Sequence, residues 1–239
     1  MKKKILGIIV ARGGSKSIPR KNIKLFAGKP LIAWSIEVGL NSQILDRLVV
    51  STDDHEIASV SENFGAEVPF MRPNELAQDN TPTLPVLQHA VSFLEKTGYV
   101  PDYVLLLEPT SPCRQVFHLK EAVQILENTD ADSVVALGEV PRHFSPLWQF
   151  SIDQEKRLQL FGGGEIKNII RRRQELPISY FRNGAFYIFK TSLLFSAEPS
   201  LYGEDVRGYV IGPEYSVDID TPEDWEAAEK KFLSIIKNK

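Results

Sequence analysis

Short apolar runs that alternate with amphipathic stretches constrain the fold of this chain more than any other feature. The runs ILGIIV (5–10), DRLVVST (46–52), DYVLLLE (102–108) and DSVVALG (132–138) have the length and composition of buried strands. Between them, PLIAWSIEVGLNS (30–42), LPVLQHAVSFLEKT (84–97) and HLKEAVQILENT (118–129) carry apolar residues at helical spacing. Strands that alternate with helices in this way predict βαβ units, and therefore an α/β fold with a mostly parallel sheet flanked by helices.

Two shorter signals lie in the first half of the chain. Asp53 followed by Glu56 is a capping-box pattern that predicts a helix across EIASVSENF. The stretch AEVPFMR (66–72) is typical of a short strand, and the polar stretch PNELAQDNTPT after it predicts a loop.

The alternation breaks between Val140 and Tyr180. This segment combines aromatic residues, a triple-glycine turn and a run of three arginines, without strand or helix periodicity. We therefore predict an inserted subdomain at 140–181, within one α/β domain formed by 1–139 and 182–239. Its aromatic content favours burial against a second subunit, with packing inside the chain as the alternative. Regular structure is expected to resume with RNGAFYIFK (182–190), GYVIG (208–212) and SVDID (216–220), followed by a helix from Pro222.

The net charge of −3 and the single cysteine limit the classes of function. A chain this close to neutral is not expected to bind nucleic acid generally, so a basic segment is a local feature. Cys113 has no partner for an intrachain disulfide, which fits a reducing cytoplasm. No apolar segment is long enough to span a membrane or to form a signal peptide. We therefore expect a soluble cytoplasmic protein.

The loop ARGGSKSIPRKN (11–22) follows the first predicted strand and is strongly basic. Between Ala11 and Lys24 there is no acidic residue, and the five cations are Arg12, Lys16, Arg20, Lys21 and Lys24. The glycine pair permits close backbone approach and positive φ, while arginine and lysine supply charge-assisted hydrogen bonds. In open α/β sheets, ligands bind beyond the carboxyl ends of strands, where this loop begins. A phosphate-rich ligand would fit both the glycine pair and the cations. The loop matches neither a Walker A motif nor a dinucleotide fingerprint, and the alternative is a solvated basic turn.

The segment SVDIDTPEDW carries a pair of carboxylates. Asp218 and Asp220 alternate with Val217 and Ile219, so on a strand both carboxylates would project from one face. Like charges this close repel unless a cation lies between them, and oxygen ligands of this kind suit Mg²⁺. The alternative is a solvent-facing acidic strand edge.

Two further segments carry weaker signals. LLLEPTSPCR places Thr110, Ser111 and Arg114 beyond a central strand, and RRRQELPISYFRNGAFYI contains Arg173 and Gln174 before the return to the sheet. The four histidines lack metal-ligand spacing, and Cys113 has no evident base partner. The sequence therefore offers no good candidate for covalent nucleophilic catalysis.

Taken together, these blocks resemble the acylneuraminate cytidylyltransferases, also called CMP-sialic acid synthetases. The likeness runs in family order through ARGGSKSIPRKNIKLFAGKPLI, DRLVVSTDDHEIA, FGAEVPFMRPNELAQDNTPT, LLEPTSPCR, RRRQELPISYFRNGAFYI and SVDIDTPEDW. The resemblance implies an enzyme that joins CTP to a nonulosonic sugar acid, with Mg²⁺, giving a CMP-sugar and pyrophosphate. It also implies a Rossmann-like α/β domain with a dimerisation insert, and a homodimer.

The resemblance also implies roles for individual residues. Those implied to hold the phosphates and ribose side of CTP are Arg12, Gly13, Ser15, Lys16, Lys21 and Asn22. Arg72 and Thr83 are implied to lie near the cytosine and its sugar, and Asp218 and Asp220 to bind the metal. Those implied to face the sugar acid are Thr110, Arg173, Gln174 and Tyr187, and the group implied to act in catalysis is Arg12, Lys21, Asp218 and Asp220.

One position departs from the family pattern. The family commonly reads L-Q-P-T-S-P, whereas this chain has Glu108 in place of the glutamine. An ionised glutamate only accepts hydrogen bonds, which favours a sugar acid that presents a donor there. The substrate therefore stays open among N-acetylneuraminic, legionaminic, pseudaminic and other acids such as an octulosonate or a phosphonate. A non-catalytic nucleotide-binding protein is the alternative from another class.

Overall fold

The computed structural model describes residues 3–237, which form a six-stranded sheet flanked by helices. The strands are β1 (Ile5–Val10), β2 (Leu25–Phe26), β3 (Lys29–Pro30), β4 (Arg47–Ser51), β5 (Tyr103–Leu107), β6 (Ser133–Glu139), β7 (Phe150–Ile152), β8 (Leu158–Leu160), β9 (Tyr180–Lys190) and β10 (Val206–Val210). The α-helices are α1 (Leu31–Ser42), α2 (His55–Asn63), α3 (Thr83–Lys96), α4 (Val116–Thr129) and α5 (Pro222–Lys237). None of the helices in this described part is long and apolar enough to cross a membrane.

The main sheet has the strand order β10-β6-β9-β5-β1-β4. Its neighbouring strands pair in parallel except at β9, which runs antiparallel between β5 and β6. The remaining strands form two small hairpins, β2–β3 and β7–β8. The prediction of an α/β fold with a mostly parallel sheet is therefore confirmed.

Apolar cores cover both faces of this sheet. Ile5 and Ile9 of β1 belong to a cluster that includes residues of α1 and α4, whereas Leu6 and Ile8 belong to one that includes α3. This division follows from the alternation of side chains along a strand, and it explains why the central strands read as continuous apolar runs. A third cluster packs α5 against Phe26, with the Trp225 ring 5.4 Å from the Phe26 ring.

Two predicted strands are absent from the described structure. Residues 66–72 make only an isolated bridge between Glu67 and Val49, and 216–220 are an extended loop in which the Ile219 amide donates to the Thr110 carbonyl at 3.0 Å. Both segments have strand-like sequences, but the first bridges β4 at one residue only and the second meets only the loop at Thr110, so neither forms a ladder. The observed β10 also begins and ends two residues before the predicted GYVIG.

Strand β9 contains a wide bulge near its start. In its pairing with β6, Val135 faces Tyr187 and Leu137 faces Arg182. Between these two paired positions β6 advances by two residues and β9 by five. Gly184 has φ of 74° inside the bulge, and Asn183 accepts a hydrogen bond from the Ala185 amide at 3.0 Å. Glycine is the residue that adopts this conformation without steric cost.

The segment between β6 and β9 consists of short 3₁₀ turns and the β7–β8 hairpin. Every residue of β7 is exposed, and Phe161 just after β8 is 73% exposed. The assignment of 140–181 as an inserted dimerisation subdomain stays a prediction.

Candidate active site

A cavity of about 230 Å³ lies at the carboxyl ends of β1 and β5. Its lining includes eight of the residues predicted from the sequence: Arg12, Ser15, Lys21, Asn22, Arg72, Thr83, Glu108 and Thr110. Segments far apart in the chain therefore meet at one edge of the sheet. This is the edge where ligands of open α/β sheets bind.

The cations of the basic loop divide between the cavity and the scaffold. Arg12 and Lys21 line the cavity, whereas Arg20 forms ion pairs with Asp54 and Glu56 at the start of α2. Lys24 lies over the Trp225 ring, 4.6 Å from its centroid. Two of the five cations, Arg20 and Lys24, therefore hold the loop onto neighbouring helices, and neither is among the residues that the resemblance assigns to the nucleotide.

The glycine pair also differs from the sequence expectation. Neither Gly13 nor Gly14 has positive φ. A Cβ on Gly13 would lie 2.7 Å from Oδ2 of Asp54, and the Gly13 amide donates to Asp53 at 3.0 Å. Asp54, rather than the predicted Asp53, caps α2 by accepting from the Glu56 and Ile57 amides. Gly13 therefore allows the loop to approach the start of α2.

Arg72 and Asn22 are buried beneath the cavity and fix its walls. Arg72 donates to both the Ser51 side chain, at 3.1 Å, and the Ser51 carbonyl. Burial lowers the pKa of Arg72 to about 10, so its guanidinium is still cationic at neutral pH. Asn22 donates to the Arg12 carbonyl at 3.0 Å, which holds the basic loop in its turn.

Sequence reasoning missed Asp79, which lies in the predicted polar loop. Its carboxylate pairs with Arg12 at 2.9 Å and with Lys16. The hydrogen bond from Lys16 lowers the pKa of Asp79, with Arg12 adding to the effect. The only available signal was an acidic residue in a loop leading into α3, which does not by itself point to a site.

Lys21 links the basic loop to the acidic pair. Its Nζ donates to the Ile219 carbonyl at 2.8 Å and to Asp220 Oδ1 at 3.2 Å. The Ile219 side chain is buried while Asp218 and Asp220 on either side are exposed, so the two carboxylates share one side of the loop. The predicted strand is wrong here, but the predicted common face is present.

The Asp218 carboxylate lies close to the end of β5. Partial burial raises its pKa, a hydrogen bond from Thr110 opposes that rise, and the Asp220 charge reinforces it. Residues 3–237 contain no group of three or more histidine, cysteine or acidic side chains arranged to hold a metal ion. Asp218 and Asp220 together present two carboxylates that could contribute to a metal site.

Glu108 and Arg114 meet where β5 leaves the sheet. Burial raises the pKa of Glu108 to about 7, and the nearby Asp218 adds to the rise. Its carboxylate accepts no hydrogen bond from any residue in 3–237. Arg114 is fully buried and donates to the Ala185 carbonyl and to Ser35 Oγ, the latter at 2.6 Å. Arg114 therefore joins the loop after β5 to the bulge of β9 and does not line the cavity.

The remaining predicted sugar-binding residues are not together. Tyr187 of β9 is buried, which raises its pKa, and it lies within electrostatic range of Glu108 and Asp218. Arg173 and Gln174 are exposed in the segment between β6 and β9 and do not line the cavity of their own chain.

Comparison with known proteins gives a consistent result. A protein-family model described as Cytidylyltransferase matches residues 6–230. The chain belongs to the cytidylyltransferase family. It is a nucleotidyltransferase, and the resemblance seen in the sequence is confirmed.

Named relatives of this cytidylyltransferase span nearly its whole length. A CMP-N,N'-diacetyllegionaminic acid synthase of Legionella pneumophila is 38% identical over 231 residues, with 95% of each chain covered. A pseudaminic acid cytidylyltransferase of Campylobacter jejuni is 36% identical over 226 residues, again with 95% of each covered. A solved structure of CMP:2-keto-3-deoxy-manno-octonic acid synthetase complexed with CTP has a TM-score of 0.70 at 16% identity, covering 97% of this chain and 99% of the other. That structure supports the fold alone.

Proposed function

We propose that this cytidylyltransferase joins CTP to a nonulosonic sugar acid, releasing pyrophosphate and forming a CMP-sugar. The observation that carries the proposal is the cavity itself. Arg12, Lys21 and Arg72 line it together with Glu108, whose carboxylate accepts no hydrogen bond from residues 3–237. Arg12 and Lys21 suit the phosphates of CTP, Arg72 suits its cytidine side, and a carboxylate without a hydrogen-bond partner next to them suits a hydroxylated acceptor. The named activities of the two relatives support the same substrate class.

The residues of the chain would act by position and charge. The anomeric hydroxyl of the sugar acid attacks the α-phosphorus of CTP, and the bond from that phosphorus to the bridging oxygen of pyrophosphate breaks. Arg12, Lys16 and Lys21 would neutralise the charge that develops on the phosphate oxygens, and Arg72 and Thr83 would hold the cytidine side. Charge stabilisation and orientation supply most of the catalysis in such displacements.

Mg²⁺ is the metal that we propose for this reaction. The donor set fits it, because Asp218 and Asp220 present carboxylate oxygens on one side of the buried Ile219. Mg²⁺ commonly uses one or two carboxylates and completes its shell with water and substrate phosphates. When bound, it would supply Lewis-acid stabilisation of the phosphate charge. Lys21, which now contacts Asp220, would lie between the metal-binding loop and the nucleotide.

We also propose that the active enzyme is a homodimer. Half of the 20 large apolar side chains that are exposed in residues 3–237 lie within 140–181. Such a concentration on one short segment is typical of a protein interface. Arg173 and Gln174 lie in this segment and do not line the cavity of their own chain, so we propose that in the homodimer they serve the sugar subsite of the partner.

The experiment is a pyrophosphate-release assay with CTP and Mg²⁺ across a panel of acids. The panel contains N-acetylneuraminic, legionaminic, pseudaminic and 3-deoxy-manno-octulosonic acids, with ATP and UTP as nucleotide controls. We expect release with CTP and at least one nonulosonic acid. Release with octulosonic acid alone would place the enzyme in another substrate class, and no release with any acid would overturn the proposal.

A further inference from the structure

Arg182 has no role in the sequence analysis and does not line the cavity, yet it contacts Tyr187, one of the residues implied to face the sugar acid. Its Nη1 donates to the Tyr202 hydroxyl at 2.8 Å, and its guanidinium is within hydrogen-bonding range of the Tyr187 hydroxyl. The Tyr187 and Tyr202 rings pack edge to face, with centroids 6.4 Å apart. Two phenols therefore hold the guanidinium in one place.

The bulge of β9 directs Arg182 to the face of the sheet that carries the site. Tyr187 pairs with both Leu106 and Val135, and Arg182 pairs with Leu137. Paired residues project to the same face, and so do residues two apart on a strand. Glu108 follows Leu106 by two residues as β5 ends, so Glu108, Tyr187 and Arg182 come to one face. In a regular strand, residues 182 and 187 would point to opposite faces.

The donors of Arg182 are only partly used. None of the carboxylates in residues 3–237 forms an ion pair with it, and its side chain is exposed. A guanidinium has five N–H donors in a planar fork that matches a carboxylate. The guanidinium is thus held beside Tyr187, while no carboxylate of residues 3–237 pairs with it.

We propose that Arg182 is a specificity-determining residue that binds the carboxylate of the sugar acid. The proposal rests on the proposed function, since it concerns the acceptor of that reaction. We assign the phosphates of the nucleotide to Arg12 and Lys21, which line the cavity together with Glu108. Arg182 does not line the cavity, but Tyr187 lies within electrostatic range of both Arg182 and Glu108. The sugar acid contributes the other anionic group, and Arg182 is the cation that we assign to it.

Steady-state kinetics with a sugar acid and its methyl ester test this assignment. Two variants change the residue itself: Arg182→Met removes the guanidinium, and Arg182→Lys keeps the positive charge without the planar set of donors. Arg207→Met is a matched control that removes an arginine from β10. For Arg182→Met we expect KM for the acid to rise about ten- to hundredfold, as for a lost charge-assisted contact. KM for CTP should stay unchanged, and the preference of the wild-type enzyme for acid over ester should largely disappear.

Three outcomes would overturn the assignment: no change in KM for the acid, an equal loss with acid and ester, or the same loss in Arg207→Met. A purely structural role would lower the melting temperature and affect both substrates alike. If the wild-type enzyme released no pyrophosphate with any acid, the proposed function would fail by itself. Calorimetric binding of N-acetylneuraminic acid to wild type and Arg182→Met would then test Arg182, with equal affinity counting against it.

Discussion

Asp79 and Arg12 form an ion pair across the candidate nucleotide cavity, with 2.9 Å between Asp79 Oδ1 and Arg12 Nη1. The same carboxylate also contacts Lys16. An internal anion thus occupies the cations that we assign to the triphosphate, so the nucleotide must compete with Asp79 for them.

Removing the charge of Asp79 should tighten CTP binding. In Asp79→Asn we expect KM for CTP to fall about two- to fivefold, the scale of an exposed ion pair of up to about 1 kcal/mol. Glu127→Gln removes the same charge from α4, away from the cavity, and serves as the control. A higher KM in Asp79→Asn would instead mean that the carboxylate orders Arg12 and Lys16 for the phosphates.

Arg12→Ala and Lys21→Ala should each weaken CTP binding. Each loses a charge-assisted contact, for which we expect about 1.5–3 kcal/mol in calorimetry. Lys24→Ala removes a cation from the same loop that lies over Trp225 instead of the cavity, so its CTP affinity should stay close to that of the wild type. Equal CTP affinities in all four proteins would contradict the phosphate-binding assignment.

Asp218→Asn and Asp220→Asn should largely abolish turnover while the melting temperature changes little, because each substitution keeps the shape of the side chain and removes only its charge, which in Asp218 is disfavoured by partial burial. Titrating Mg²⁺ in the pyrophosphate assay should show a raised requirement for the metal in either variant. Glu223→Gln removes an exposed carboxylate a few residues away and should behave as the wild type. Near wild-type turnover in both aspartate variants would eliminate the metal site.

Glu108→Gln should stabilise the protein increasingly as pH rises. Burial raises the pKa of Glu108 to about 7, above its value in an unfolded chain. Between those two values the folded state binds more protons than the unfolded state, so this carboxylate lowers the free energy of unfolding as pH rises. The difference in melting temperature between the variant and the wild type should therefore grow from pH 5 to pH 8. A pH-independent difference would contradict the raised pKa.

The exposed apolar segment should hold two copies of the chain together. Light scattering at micromolar concentration should give a dimer mass for the wild type and a lower mass for Ile152→Glu and Phe161→Glu. Val100→Glu changes an exposed apolar residue outside the segment and should remain dimeric. A monomeric wild type would rule out the homodimer.

The sequence by itself determined the fold class and most of the polar residues that line the cavity. Strands β1, β4, β5 and β6 and helices α1, α3 and α4 lie where the periodicity of apolar residues predicts them, because periodicity is a local property of the chain. The basic loop could be assigned to the ligand edge because parallel strands of a βαβ fold present their carboxyl ends together.

Contacts between distant segments decided what the sequence could not. SVDID reads as a strand, but an extended segment becomes one only when another strand pairs with it, and here Ile219 meets the loop at Thr110. Asp53 and Asp54 are adjacent and chemically alike, yet the approach of Gly13 assigns Asp53 to the loop and leaves Asp54 to cap α2. Arg182 lies on the same face of the sheet as Glu108 only because the bulge advances β9 by five residues while β6 advances by two. In such places the direction of a side chain depends on pairing partners that are distant in the sequence. The local sequence pattern does not identify those partners.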